Sequence, residues 1–151
     1  MTRLLLTAWL GLAGATAQSP SDLTGVWVRE ATSRPVLDDA APAWEEITIE
    51  ATQVTIRRAS RPRAIEVYRF DGLERQATRV RASRYCRVAW DGAALTLDCR
   101  ELDGGPGGSA PPIVTREVRS LDAEGRLIVE TGWSSGEQVT VRRERYRRQA
   151  Q

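Results

Sequence analysis

"YCRVAWDGAALTLDC", residues 85–99, carries the pattern that decides the fold. In its first half Cys86, Val88 and Trp90 alternate with Tyr85, Arg87 and Ala89, and in its second half Leu95, Leu97 and Cys99 alternate with Thr96 and Asp98. A period of two puts the apolar side chains on one face of an extended strand. Between the halves lies Asp91-Gly92, a strong short hairpin signal because glycine adopts positive φ at no steric cost. The stretch therefore reads as two half-buried antiparallel strands.

The same period runs outward in both directions. "EEITIEA" alternates through Ile47 and Ile49, "QVTIRR" through Val54 and Ile56, and "RAIEVYRF" sets Ile65 and Val67 on one face with Tyr68 and Phe70 on the other. "RLIVETGW" and "EQVTVRRERY" close the chain in the same manner. These runs are rich in Val, Ile, Thr and aromatics, as strands are. Glycines at 125 and 136 mark further tight turns. About nine strands follow, or ten if residues 79–90 split near Ser83-Arg84, and an antiparallel meander closes on itself only with an even number. Closure removes the edges that invite aggregation, so we expect an all-β antiparallel up-and-down barrel of about 8–10 strands. No helix beyond one turn near "PVLDDA" is expected, and residues 31–43 and the Gly/Pro-rich 102–112 read as the two long surface loops.

Residues 1–17, "MTRLLLTAWLGLAGATA", combine Arg3, a short apolar run and a small-residue ending in Ala15-Thr16-Ala17, the pattern of a signal peptide cleaved before Gln18. The run is too short to span a membrane. Residues 18–151 then form one domain, periplasmic or secreted. An exported chain with two cysteines usually pairs them, so Cys86 and Cys99 are expected to form a disulfide. A two-residue turn at Asp91-Gly92 would set Leu97 opposite Cys86 and leave Cys99 two residues along the same face. That diagonal is near the limit of disulfide reach unless a bulge shifts the register.

"DLTGVW" at residues 22–27, followed by a long first loop and a meander, resembles the Gly-x-Trp opening of the lipocalin-like (calycin) barrels. "WDGAALTL" and "LDAEGRLIVE" are similar to hairpins of small secreted bacterial lipocalin-like domains, mostly of unassigned function. The resemblance implies that Trp27 caps one end of the barrel beneath a basic side chain from the far end of the chain, with Arg143 or Arg145 as partner. A plain core tryptophan is the alternative. Nothing after Tyr146 is long enough for the C-terminal helix of true lipocalins.

All 22 basic residues are arginine, and 20 carboxylates nearly balance them, so the composition does not point to nucleic acid. The basic tail "VRRERYRR" reads as a solvated strand end. With no histidine and no lysine there is no Ser-His-Asp or Cys-His arrangement, no imidazole ligand for metal or haem and no Schiff base. The adjacent acids Asp38-Asp39 and Glu45-Glu46 read as solvated charges around the first loop. We therefore expect no enzyme, no cofactor and no metal.

Arginines that interrupt apolar faces define the expected ligand site. Ile56 is followed on its face by Arg58, Val67 by Arg69 and Val141 by Arg143, while Arg116 precedes Val118. If those faces point inward, arginines at the barrel ends grip an acidic head while the apolar middle, with Trp27 near one end, holds a tail. The outward alternative has these side chains snorkelling into water. The expected function is a barrel binding a small apolar or anionic amphiphilic ligand, and the competing one is a protein-binding module such as a periplasmic protease inhibitor.

Overall fold

The structure, a computed structural model, describes residues 18–31, 42–59, 64–77, 83–102, 112–135 and 138–150. The signal segment, Asp38-Asp39, the "PVLDDA" turn, most of the two long loops and the turn at Gly136 lie outside the described residues. A short 3-10 turn, Pro20–Leu23, precedes ten strands: β1 Gly25–Arg29, β2 Trp44–Ile49, β3 Gln53–Arg58, β4 Ala64–Arg69, β5 Arg75–Ala77, β6 Ser83–Trp90, β7 Leu95–Leu102, β8 Ile113–Leu121, β9 Leu127–Ser135 and β10 Gln138–Arg148. The tenth strand is the three-residue β5, upstream of the point at which the sequence suggested a split.

All ten strands pair antiparallel in one sheet, ordered β4-β3-β2-β1-β10-β9-β8-β7-β6-β5. The first strand pairs with the last, through Trp27 opposite Arg148 and Arg29 opposite Tyr146, so these two strands lie mid-sheet. The two edges, β4 and β5, meet without a ladder between them, and β4 also lies against β6. The result is a nearly closed barrel with one seam. Its short turns, at residues 50–52, 70–74, 91–94 and 122–126, share one end with the 3-10 turn.

The Asp91-Gly92 hairpin shows how local chemistry sets register. Its connection takes four residues, not two: the Asp91 carboxylate accepts the Ala93 and Ala94 N–H groups at 3.0 and 2.8 Å, and Gly92 sits at φ 93°. Side-chain bonds of this kind stabilise an Asx turn. The longer turn moves the pairing by two residues, which brings Cys86 directly opposite Cys99 with their Cα atoms 4.1 Å apart, and the disulfide forms there. The expected bond is present, and it is a direct cross-strand pair rather than a diagonal one.

The inward face divides into two layers. Near the short turns Leu23, Ile47, Val54, Ile56, Leu95 and Leu97 are fully buried and pack against Trp27 and Leu127. The other inward side chains are the charged Glu45, Arg58, Glu66, Arg84, Glu117 and Arg119, of which Glu117 and Arg119 stand directly opposite Leu97 and Leu95. Two strands present the face opposite to the one expected. On β4 the buried residues are Glu66 and Tyr68, while Ile65 and Val67 are 56% and 53% exposed. On β10 they are Glu144 and Tyr146, while Val139 and Val141 are 73% and 63% exposed. Register decides this: Glu66 stands opposite inward Ile56, and Tyr146 opposite inward Leu127.

Candidate ligand-binding cleft and the charged interior

The charged layer is a closed network of ion pairs. Glu117 is its hub, with Oε2 at 2.8 Å from both Arg58 Nη2 and Arg119 Nη2, and Oε1 at 3.0 Å from Arg84 Nη2. Glu66 reaches Arg58 at 2.9 Å and Arg84 at 3.3 Å, and Glu45 reaches Arg119 at 3.1 Å and Arg58 at 3.7 Å. Three arginines face three glutamates, so the formal charges cancel. The partners come from β2, β3, β4, β6 and β8, which ties the two sides of the seam together.

Burial sets the electrostatics. Desolvation alone would raise the Glu117 carboxyl, but Arg58, Arg119 and Arg84 outweigh it and hold it far below the usual carboxylate range. Desolvation alone would lower the Arg119 guanidinium, and Glu45 and Glu117 outweigh it in the same way. The phenols of Tyr68 and Tyr146 are pushed up, first by burial and then by Glu66 and Glu45 respectively. Two buried polar atoms facing this layer, the Tyr68 hydroxyl and Arg119 Nη1, have no hydrogen-bond partner among the described residues. Glu45, read from sequence as a solvated charge, is 1% exposed: it shares the inward face of β2 with Ile47, while Glu46 points out to Arg57.

Arg148 covers the short-turn end. Its guanidinium lies 4.5 Å from the Trp27 ring centroid, and it donates to the carbonyls of Thr24, at 2.7 Å, and Asp22. Trp27 Nε1 donates to the Leu23 carbonyl at 2.9 Å. The basic partner of Trp27 is thus Arg148, not Arg143 or Arg145, because odd-numbered β10 residues face outward. Gly25, at φ 150°, makes the approach possible, since a Cβ there would lie 3.0 Å from Arg148 Nη1. The Gly-x-Trp pair is explained by this stack.

A cleft of about 630 Å3 opens at the seam, at the short-turn end. Phe70, after β4, and Trp90, at the end of β6, form its aromatic walls, and Ile49 and Val88 are its apolar neighbours. Ser19, Ser21 and Glu50 add polar groups. The volume is that of an ordinary small-molecule site. The cleft adjoins the turn that links β4 and β5, the two sheet edges that share no ladder.

The structure does not gather the site residues expected from sequence. Trp27 and Ile56 lie in the apolar layer, and Arg58 is held by three carboxylates in the charged one. Val67 and Arg69 face outward on β4, Val141 and Arg143 do so on β10, and Arg116 is exposed on β8, 3.7 Å from Asp98. None of the eight lines the cleft. Sequence reasoning missed the charged layer. Its signal was present, since Glu45, Arg58, Glu66 and Arg84 each lie two residues from a buried Ile47, Ile56, Tyr68 or Cys86. Phe70 and Trp90 were visible as strand-end aromatics, but nothing in their spacing joins them.

Together these features define a nearly closed antiparallel barrel with a buried ion-pair network, an apolar core covered by Arg148 and a cleft at the short-turn end. Comparison with protein-family models, curated proteins and solved structures found no match. Among the described residues, no group of His, Cys, Asp and Glu side chains is placed to hold a metal ion, and no helix is long and apolar enough to cross a membrane.

Proposed function

We propose that the chain is an exported, non-enzymatic barrel of lipocalin-like type that holds a small apolar ligand in the seam cleft. The observation that carries this reading is the cleft itself, about 630 Å3 with Phe70 and Trp90 as its walls. A disulfide and an apolar leader favour the periplasm or the outside of the cell. An acidic head group has no support, because Arg58 is held by three carboxylates and Arg69, Arg116 and Arg143 face outward. For a non-enzymatic role speak the missing histidine and lysine, the bonded cysteines and the pairing of every buried glutamate in the charged layer with arginine.

The test is titration with the neutral fluorophore N-phenyl-1-naphthylamine. Saturable binding with energy transfer from tryptophan is expected, lost when Ala51→Trp fills the cleft from its exposed turn. A second reading, a protein-binding module such as a periplasmic protease inhibitor, is favoured by the filled interior of the barrel. It becomes the better one if protein shown to be folded by circular dichroism does not bind the fluorophore saturably.

A further inference from the structure

We infer that the ligand of the seam cleft is an organic cation, an amine or quaternary ammonium on a small apolar body. This rests on the cleft being the binding site and adds a charge to its occupant. The chain carries 22 arginines among 151 residues, yet none of the described ones lines the cleft. Among the described residues Glu50 is its only ionisable lining residue. The Glu50 carboxylate accepts from Gln53 Nε2 at 2.8 Å, and among the described residues no arginine forms an ion pair with it. That sets it apart from the glutamates of the charged layer, each of which has at least two arginine partners.

The walls act in the same sense. The faces of Phe70 and Trp90 carry the negative part of the aromatic quadrupole, which attracts an ammonium group and repels a carboxylate. Ser19 and Ser21, whose hydroxyls lie 2.5 Å apart, add oxygen acceptors at the rim. An anion entering here would meet a carboxylate with no arginine paired to it among the described residues, whereas a cation would meet complementary charge there and two aromatic rings to lie against. A neutral apolar body would gain only the burial.

Three probes with one body and different heads test this: 3-phenylpropyl-trimethylammonium, 3-phenylpropan-1-ol and 3-phenylpropanoate, titrated calorimetrically into the full chain. The cation should bind about fivefold more tightly than the alcohol, the combined worth of one exposed ion pair and one exposed cation–π contact. The carboxylate should bind most weakly. In Glu50→Gln, which keeps a partner for Gln53, the preference for the cation should shrink to about twofold while alcohol binding is unchanged. Equal or tighter binding of the alcohol or the carboxylate by the unaltered protein overturns the inference and leaves the cleft as the site. A preference for the cation that survives intact in Glu50→Gln overturns the role of Glu50 and with it the inference. If phenylnaphthylamine binds and none of the three probes does, the cation inference alone fails. If nothing binds, including phenylnaphthylamine, the cleft reading fails with it.

Discussion

Two parts of this interior are filled in opposite ways. In the apolar part, side chains such as Leu95 and Leu97 exclude water, and Arg148 lies over Trp27 as a cover. In the charged part, which reaches the positions directly opposite those leucines, neutrality comes from three arginines set against three glutamates. The apolar part gains from every buried methylene, largely independently of its neighbours. The charged part gains only if it is complete, because a buried ion without its partner is costly while a complete network is close to neutral against an apolar one. The contrast is between a graded and an all-or-none source of stability.

Breaking the charged part should therefore have the largest effect. Arg119→Leu leaves the buried layer one cation short, with Glu45 facing only Arg58 at 3.7 Å, and we expect a loss of about 3–5 kcal/mol in urea unfolding. The double variant Glu45→Leu with Arg119→Leu should lose less than Arg119→Leu alone. A double variant as unstable as the sum of its parts would mean that the charges are not coupled. Reduction of the Cys86–Cys99 bond, whose cysteines are 13 residues apart in sequence, should cost at most about 3 kcal/mol, read from melts with and without reductant. Next comes the cover of the apolar part: Arg148→Met removes the cation over Trp27 and its bonds to Thr24 and Asp22, for about 2 kcal/mol.

Acid perturbs the charged part more gently. The Glu117 carboxyl is held below its unfolded value of about 4.3, so its stabilisation is fully present above that pH and is lost as pH falls toward the lower folded value. Urea midpoints should hold steady from pH 7 to pH 5 and decline below about pH 4.3. An unchanged midpoint at pH 3 would remove Glu117 from the account. The smallest effect is expected on the outer face, where Val141→Ser should change stability by no more than about 0.5 kcal/mol although the sequence suggested an inward valine. A larger loss would show that the outer face of β10 is covered.

The strands and their turns were legible in the sequence because both are local. Alternation in residues 85–99 needs only neighbours, and so does the Asp91 turn, although its four-residue length set the cysteine register two residues from the expected one. Which face points inward was legible only where apolar and inward coincide, as at Ile47 and Ile56. On β4 the more apolar residues are Ile65 and Val67, yet Glu66 faces in because Arg58 and Arg84 receive it there. Such partners are remote: Arg58 and Glu117 are 59 residues apart, and Glu45 and Arg119 are 74 apart. The cleft was illegible for the same reason, since Ser19, Glu50, Phe70 and Trp90 come from four separate segments.

The pairing of the first strand with the last has a consequence for how the molecule comes into being. Arg148 bonds to Thr24, 124 residues earlier in the chain, and Gln149 donates to the Val26 carbonyl at 2.8 Å. The two halves of the sheet, β4 to β1 and β10 to β5, cannot be joined until the end of β10 has been made. Until then β1 has only β2 beside it, and the tryptophan that ends up beneath Arg148 stays uncovered. Contacts so distant in sequence form slowly and late. A chain emerging residue by residue from a ribosome or through a membrane thus keeps the two halves of its sheet apart until the end of β10 arrives, and that strand acts as the latch.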